Sequence, residues 1–243
     1  MTVLITGGAG YIGSHMVLDL VACGEKPIVL DDLSTGFDFL LPDHVPLIRG
    51  DIADHSLVSK IIAEHNIDTI AHFAAKIVVP DSVSDPLGYY ESNTVKARSL
   101  IDAAVKSGLT KFIFSSTAAV YGEPNEMPVS ETTRPHPVSP YGRSKLMVEW
   151  MLEDARRAHG LQSMILRYFN VAGADPDARS GQATPRATHL IKTACEVVTG
   201  KRASISVFGT DYDTRDGTCI RDYIHVSDLS LIHISEPTRR RGI

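Results

Sequence analysis

The chain has 243 residues, 43% hydrophobic and 22% charged, a composition for one large α/β domain or a domain with a partial second lobe rather than a fibre or a disordered segment. Its net charge of −5 argues against a general basic field for nucleic acid, and three scattered cysteines (Cys23, Cys195, Cys219) without CxxC spacing argue against a disulfide framework or a metal site. No apolar run approaches ~20 residues and the first is cut after Ile5 by Thr6-Gly7-Gly8, so neither a membrane span nor a signal peptide is expected, and a cytoplasmic location is.

In chain order, β-branched runs predict strands over Thr2–Thr6, Pro27–Asp31, Val45–Arg49, Thr69–Phe73, Lys111–Ser115, Ser163–Arg167 and Ile205–Phe208. Apolar residues at helical spacing predict helices over Tyr11–Ala22, Ser56–His65, Tyr89–Ser107, Tyr141–His159 and Thr188–Thr199. Nearly continuous apolar strands belong to a parallel sheet covered on both faces. Right-handed crossovers then give a doubly wound, Rossmann-type α/β sheet. Beyond Phe169 the pattern loosens into loop-forming stretches at 171–187 and 211–218. The expected organisation is a dinucleotide-binding domain over 1–169 and a partial substrate-binding lobe with returning sheet elements over 170–228.

Gly7, Gly10 and Gly13 stand in TGGAGYIG, between the first strand and the first helix. There a first glycine makes a tight turn, a second lets backbone N–H groups approach a pyrophosphate, and a third lets helix pack on strand. Tyr11 and Ile12 open that helix. Asp31 closes the second strand about 20 residues on, where a carboxylate accepts hydrogen bonds from ribose hydroxyls and, with Asp32, repels a 2′-phosphate. The expected cofactor is NAD. Asp51 in RGDI could reach the adenine amino group with Ile52 on the ring, or could simply cap the next helix. Phe73-Ala74 ends the fourth strand with small backbone near the cofactor, or with tight packing alone.

Tyr141 and Lys145 form YxxxK at the start of a predicted helix, one turn apart on one face. A nearby ammonium stabilises phenolate, and bringing Tyr from ~10 towards neutrality asks ~4 kcal/mol of differential stabilisation. Tyr141 would then be a general base at a sugar hydroxyl. Ser115 and Thr117 close the fifth strand upstream. Thr117 would relay a proton or hold the hydroxyl, or would only cap the strand end.

Together TGGAGYIGSH, Asp31-Asp32, HFAA (72–75), FSSTAAVYG (114–122) and SPYGRSK (139–145) resemble the extended short-chain dehydrogenase/reductases. Within them, LRYFNVAGA (166–174) and VFGTDYDTRDGTCIRDYIHVSDL (207–229) resemble the UDP-glucose 4-epimerases. The resemblance implies an isomerase of galactose and nucleotide-sugar metabolism, acting on a UDP-hexose through a 4-keto intermediate and homodimeric when full length. It implies that Tyr141 takes the 4-hydroxyl proton, Lys145 holds the nicotinamide ribose, Tyr168 packs beside the nicotinamide, and Asn170 binds substrate. Arg221 would bind the diphosphate and His189 and Leu190 would lie near the uridine diphosphate. Lys76 is one place off a cofactor-contacting Lys of many such enzymes, which aligns nearest Ile77. A decarboxylase or 4,6-dehydratase of nucleotide sugars and a non-catalytic NAD binder remain as alternatives. Dehydratases commonly place an Asp-Glu pair after the Thr, and here Ala118-Ala119 follows Thr117.

The closing residues, LSLIHISEPTRRRGI, resemble the translation of a transposase adapter used to prepare DNA sequencing libraries. A non-native tail is therefore expected over 229–243, broken as a helix by Pro237 and the arginines after it.

Overall fold

β1 (Thr2–Thr6) shows why helices cover both faces of the sheet: Leu4 joins one apolar cluster, Val3 and Ile5 another. The computed structural model describes residues 1–124, 126–184 and 188–235. β2 (Lys26–Asp31), β3 (Leu47–Arg49), β4 (Thr69–His72), β5 (Lys111–Ser115) and β6 (Gln162–Leu166) join β1 in a six-stranded sheet, order β3-β2-β1-β4-β5-β6. Every pairing in it is parallel. The order reverses between β1 and β4, and ligands of such sheets bind at that switch point, beyond the carboxyl ends of the strands.

One face carries α2 (His55–His65), α5 (Lys96–Lys106) and α6 (Pro140–His159), whose Val58, Ile61, Leu100, Val148 and Leu152 pack on Leu4, Ile70 and Phe112. The other carries α1 (Tyr11–Ala22), whose Met16, Val17 and Leu20 pack on Val3, Ile5 and Val29. Helix ends follow local chemistry. Asp54 caps α2 by accepting from Leu57 N at 3.0 Å, and Asn66 ends it in the left-handed region at φ 51°. Ser139 caps α6 by accepting from Gly142 N at 3.1 Å, with Pro140 in the first turn.

The predicted helix over Tyr89–Ser107 starts earlier and is not uniform. After α3 (Val79–Ser84), α4 (Pro86–Tyr90) runs through a π-helical turn, Glu91–Val95, into α5. The run Ile205–Phe208 is not a strand. Among the described residues it pairs with no strand, and Phe208 is 99% exposed; β-branched residues make a strand only with a ladder partner and a surface to cover. Instead β7 (Asn170–Ala172) and β8 (Tyr223–His225) form a separate two-stranded parallel sheet. α7 (Leu190–Val198) lies between them in sequence, with Thr193 its buried residue.

α8 (Val226–Ser235) crosses the boundary expected after Asp228. Val226, Leu229, Ser230 and His233 are buried, and the helix lies along α1. The remainder of the expected tail, 236–243 with Pro237, lies outside the described residues.

Candidate active site

β1 passes into α1 through the glycine loop. Gly7 has φ +72°, and a Cβ there would sit 2.5 Å from Ala74 N, while one on Gly13 would sit 2.3 Å from Gly7 O. Those two glycines serve close packing. A Cβ on Gly10 would meet only Gly7 O, at 3.2 Å. Gly10 is the N-cap of α1, with no side-chain cap and no acid in the first turn. Among the described hydrogen bonds the N–H groups of Tyr11, Ile12 and Gly13 meet no backbone acceptor. Free N–H groups at the positive end of a helix, reached over bare glycine, suit an anionic phosphate. The Tyr11 hydroxyl donates to Gly173 O at 2.6 Å, tying this helix to the loop after β7, and burial pushes its pKa up to about 12.

Asp31 lies at the neighbouring strand end and is buried. Its Oδ2 accepts from Ala9 N at 3.0 Å and its Oδ1 from Leu33 N at 2.9 Å. Burial pushes its pKa up and the two N–H groups pull it back. Each carboxylate oxygen accepts two hydrogen bonds, so acceptor capacity remains for a ribose diol. Asp51 ends the loop after β3, where it accepts from Ala53 N at 2.9 Å and forms a short ion pair with Lys96. Ile52 is buried in the main core with Val58 and Ile61.

Across the switch point, Phe73 N and Ala74 N both donate to Thr6 O, at 2.9 and 3.1 Å. Lys76 follows with its main chain held twice by Asn93: Lys76 N donates to Asn93 Oδ1 at 2.8 Å, and Asn93 Nδ2 to Lys76 O at 2.9 Å. The Lys76 ammonium lies 3.8 Å from Asp85 and over the Tyr89 ring.

α6 carries Tyr141 and Lys145 to the end of β5. Lys145 is buried, donates from Nζ to Ser115 O at 2.8 Å, and lies 5.0 Å from the Phe114 ring centre. Burial pushes its pKa down to about 7, while Glu149 pulls upward. Burial also pushes Tyr141 up, against a hydrogen bond with Thr117 that lowers it. The Lys145 hydrogen bond thus goes to the Ser115 carbonyl rather than to the phenol. Thr117 Oγ1 accepts from Ala119 N at 3.1 Å, so it caps the turn Ala118–Val120 as well as neighbouring Tyr141. Ser115 Oγ shares a short hydrogen bond with the Tyr168 hydroxyl, whose pKa burial pushes up. Tyr141, Lys145, Ser115, Thr117 and Tyr168 therefore meet around one strand end.

The other expected residues are more dispersed. Asn170 opens β7 and donates from Nδ2 to Asp222 O at 3.0 Å, beside Arg221. The Arg221 guanidinium donates to Ile220 O at 2.8 Å and makes no ion pair among the described residues. His189 is the N-cap residue of α7 and its Nδ1 is 2.6 Å from Gln182 Nε2, while Leu190 is exposed.

Three contributors lie outside the expected set: Asn93, Glu149 and Arg167. Asn93 is a buried polar residue in the π-helical turn and Glu149 one on α6, while Arg167 directly follows β6. Asn93 also donates from Nδ2 to Ser144 Oγ at 3.2 Å, next to Lys145.

A family model described as the NAD dependent epimerase/dehydratase family matches residues 3–234. The chain belongs to that family. Within this epimerase/dehydratase family, a UDP-glucose 4-epimerase of Azospirillum brasilense is 55% identical over 232 residues, covering 96% of this chain and 67% of that protein. A crystal structure of UDP-glucose 4-epimerase from Brucella ovis in complex with NAD superposes with a TM-score of 0.93 at 42% identity, covering 96% of this chain and 71% of that one. One from Bifidobacterium longum in complex with NAD+ and UDP superposes with a TM-score of 0.93 at 36% identity, covering 100% and 75%. No described helix of this family member is long and apolar enough to cross a membrane.

Proposed function

We propose that this chain interconverts UDP-glucose and UDP-galactose through a 4-keto sugar, with NAD as a resident cofactor. The observation that carries the reading is the convergence of Tyr141, Lys145 and Thr117 at the carboxyl end of β5, the same end of the sheet as the uncapped start of α1 beside Asp31. Gly7, Gly10, Tyr11, Ile12 and Gly13 would hold the pyrophosphate, Asp31 the adenosine ribose, and Asp51 and Ile52 the adenine end. Phe73, Ala74 and Lys76 would flank the cofactor, and Ser115 and Tyr168 would border the nicotinamide. When bound, NAD supplies a reversible hydride acceptor.

Tyr141 then takes the proton of the sugar 4-hydroxyl as that carbon becomes a ketone, and returns it when the carbon is reduced from the opposite face. Thr117 positions the hydroxyl. The Lys145 ammonium, together with the positive charge of an oxidised nicotinamide, would offset the upward push that burial exerts on Tyr141. Asn170, His189, Leu190 and Arg221 are the substrate contacts, with the Arg221 fork suited to a diphosphate. Residues 1–169 would thus serve NAD and 170–228 the sugar nucleotide, in a cytoplasmic enzyme with no nucleic-acid or membrane partner. Homodimerisation would run through α5 and α6, between which a groove is lined by Ile101, Val105, Met151 and Ala155 together with Arg98, Asp102, Asp154 and His159.

Incubating the protein with UDP-galactose and no external oxidant tests the reading. UDP-glucose as product supports it, a dehydrated keto sugar favours the dehydratase alternative, and no product with NAD retained favours a binding role only.

A further inference from the structure

Glu149 is 4% exposed, one helical turn beyond Lys145 on α6, and a carboxylate so buried must be fully partnered or it costs several kcal/mol. Its partners are Ser116 and Arg167. Ser116 Oγ donates to Glu149 Oε1 in a short hydrogen bond. Arg167 Nε lies 3.1 Å from each carboxylate oxygen, and its terminal nitrogen pairs with Oε2 at 2.5 Å. Arg167 is itself held at its other terminal nitrogen, which donates to the Tyr121 hydroxyl at 3.1 Å, with the guanidinium over the Tyr121 ring at 5.0 Å.

These contacts close a ring around the expected chemistry. Lys145 donates to Ser115 O, the next residue Ser116 donates to Glu149, and Glu149 returns through one turn of α6 to Lys145. Ser116 N also donates to Leu166 O at 2.9 Å and Ala118 N to Tyr168 O at 3.0 Å, so 115–118 is clamped to 166–168 on both sides of Arg167. We propose that Glu149 is a positioning residue for Tyr141 and Lys145, fixing the exit of β5 through Ser116 and Arg167 and holding a counter-charge near the buried ammonium. This inference rests on the reading of Tyr141 as the base.

The charged and titratable groups facing this ring are Tyr141 and Glu149 on α6, Tyr89 on α4, His72 on β4, Arg167 and Tyr168 after β6, and Tyr121. Burial pushes the His72 pKa down to about 3, and Glu149, paired with Arg167, is the carboxylate among these groups. Glu149→Gln keeps an acceptor for Ser116 and Arg167 but removes the charge. The Lys145 titration, followed by side-chain nitrogen NMR of the free protein, should then move down by about one pH unit, the size a neighbouring opposite charge gives. Glu149→Asp should restore part of that shift.

The orphaned Arg167 could unfold the single variant, so Glu149→Gln combined with Arg167→Met removes that cation too. The proposal requires this double variant to regain thermal stability while its Lys145 titration stays displaced. A Lys145 titration at its wild-type position in either folded variant, or its recovery together with stability in the double variant, would overturn it. A wild-type protein that converts no UDP-galactose while these shifts stand sinks the sugar reading alone.

Discussion

Thr6 and His72 sit opposite each other on β1 and β4, where the strand order reverses, and share a hydrogen bond of 2.7 Å. The His72 ring stacks on Phe114 and burial, reinforced by Lys145, pushes its pKa down to about 3. An imidazole held neutral in the fold but protonated in the unfolded chain stabilises the fold above its unfolded pKa of about 6.5 and loses that contribution as pH falls towards about 3. His233, pushed down to about 4, acts in the same direction. Melting temperature should therefore fall as pH drops through this window. His72→Asn should flatten the fall while lowering stability at neutral pH; an unchanged slope would reject the assignment.

The glycines of the loop separate by role. Gly13→Ala drives a Cβ into the Gly7 carbonyl and should lower the melting temperature markedly, whereas Gly10→Ala meets no such wall. Gly10→Ala should keep near wild-type stability and lose at least ~10-fold in NAD affinity, because the methyl group crowds the approach to the first-turn N–H groups. Calorimetric titration of both variants alongside thermal melts checks the pair.

Tyr141→Phe removes the proton acceptor and little else. Turnover of UDP-galactose should drop by ~10²-fold or more, the scale of general acid–base catalysis, while NAD affinity stays within a small factor. Full activity in that variant would remove Tyr141 from the chemistry.

Asn93→Ala leaves both main-chain groups of Lys76 without their partner. Stability should fall by ~0.5–1.5 kcal/mol, the net worth of a typical hydrogen bond, as measured by urea unfolding. A loss near zero would mean that the loop re-pairs elsewhere.

What was legible in the sequence was what short spacing encodes. Gly7 to Asp31 spans one strand–helix–strand unit and Tyr141 to Lys145 one turn of α6, where periodicity fixes which face a residue takes. Asn93 was not legible, because its partners lie 17 residues back at Lys76 and 51 ahead at Ser144. Glu149 and Arg167 read separately as a helix charge and a strand-end charge, 18 residues apart, and only the packing of α6 beside β6 makes them a pair. β7 and β8 are three residues each and meet across the long excursion between Ala172 and Tyr223, so neither carries a pattern of its own. Ile205–Phe208 has the pattern and lacks the partner.

The π-helical turn at Glu91–Val95 also acts as a phase offset in an otherwise continuous rod. Downstream, α5 must aim Ala97, Leu100 and Ala104 at the sheet; upstream, α4 must aim Tyr89 at Val78 O, which its hydroxyl reaches at 2.6 Å. A plain α-helix advances ~100° per residue, so excising one residue from this turn would straighten the ladder yet swing α4 by about that angle around the axis. A single-residue deletion here would therefore disturb far more than a substitution at the same place, and length, not identity alone, is the quantity the segment 91–95 has to keep.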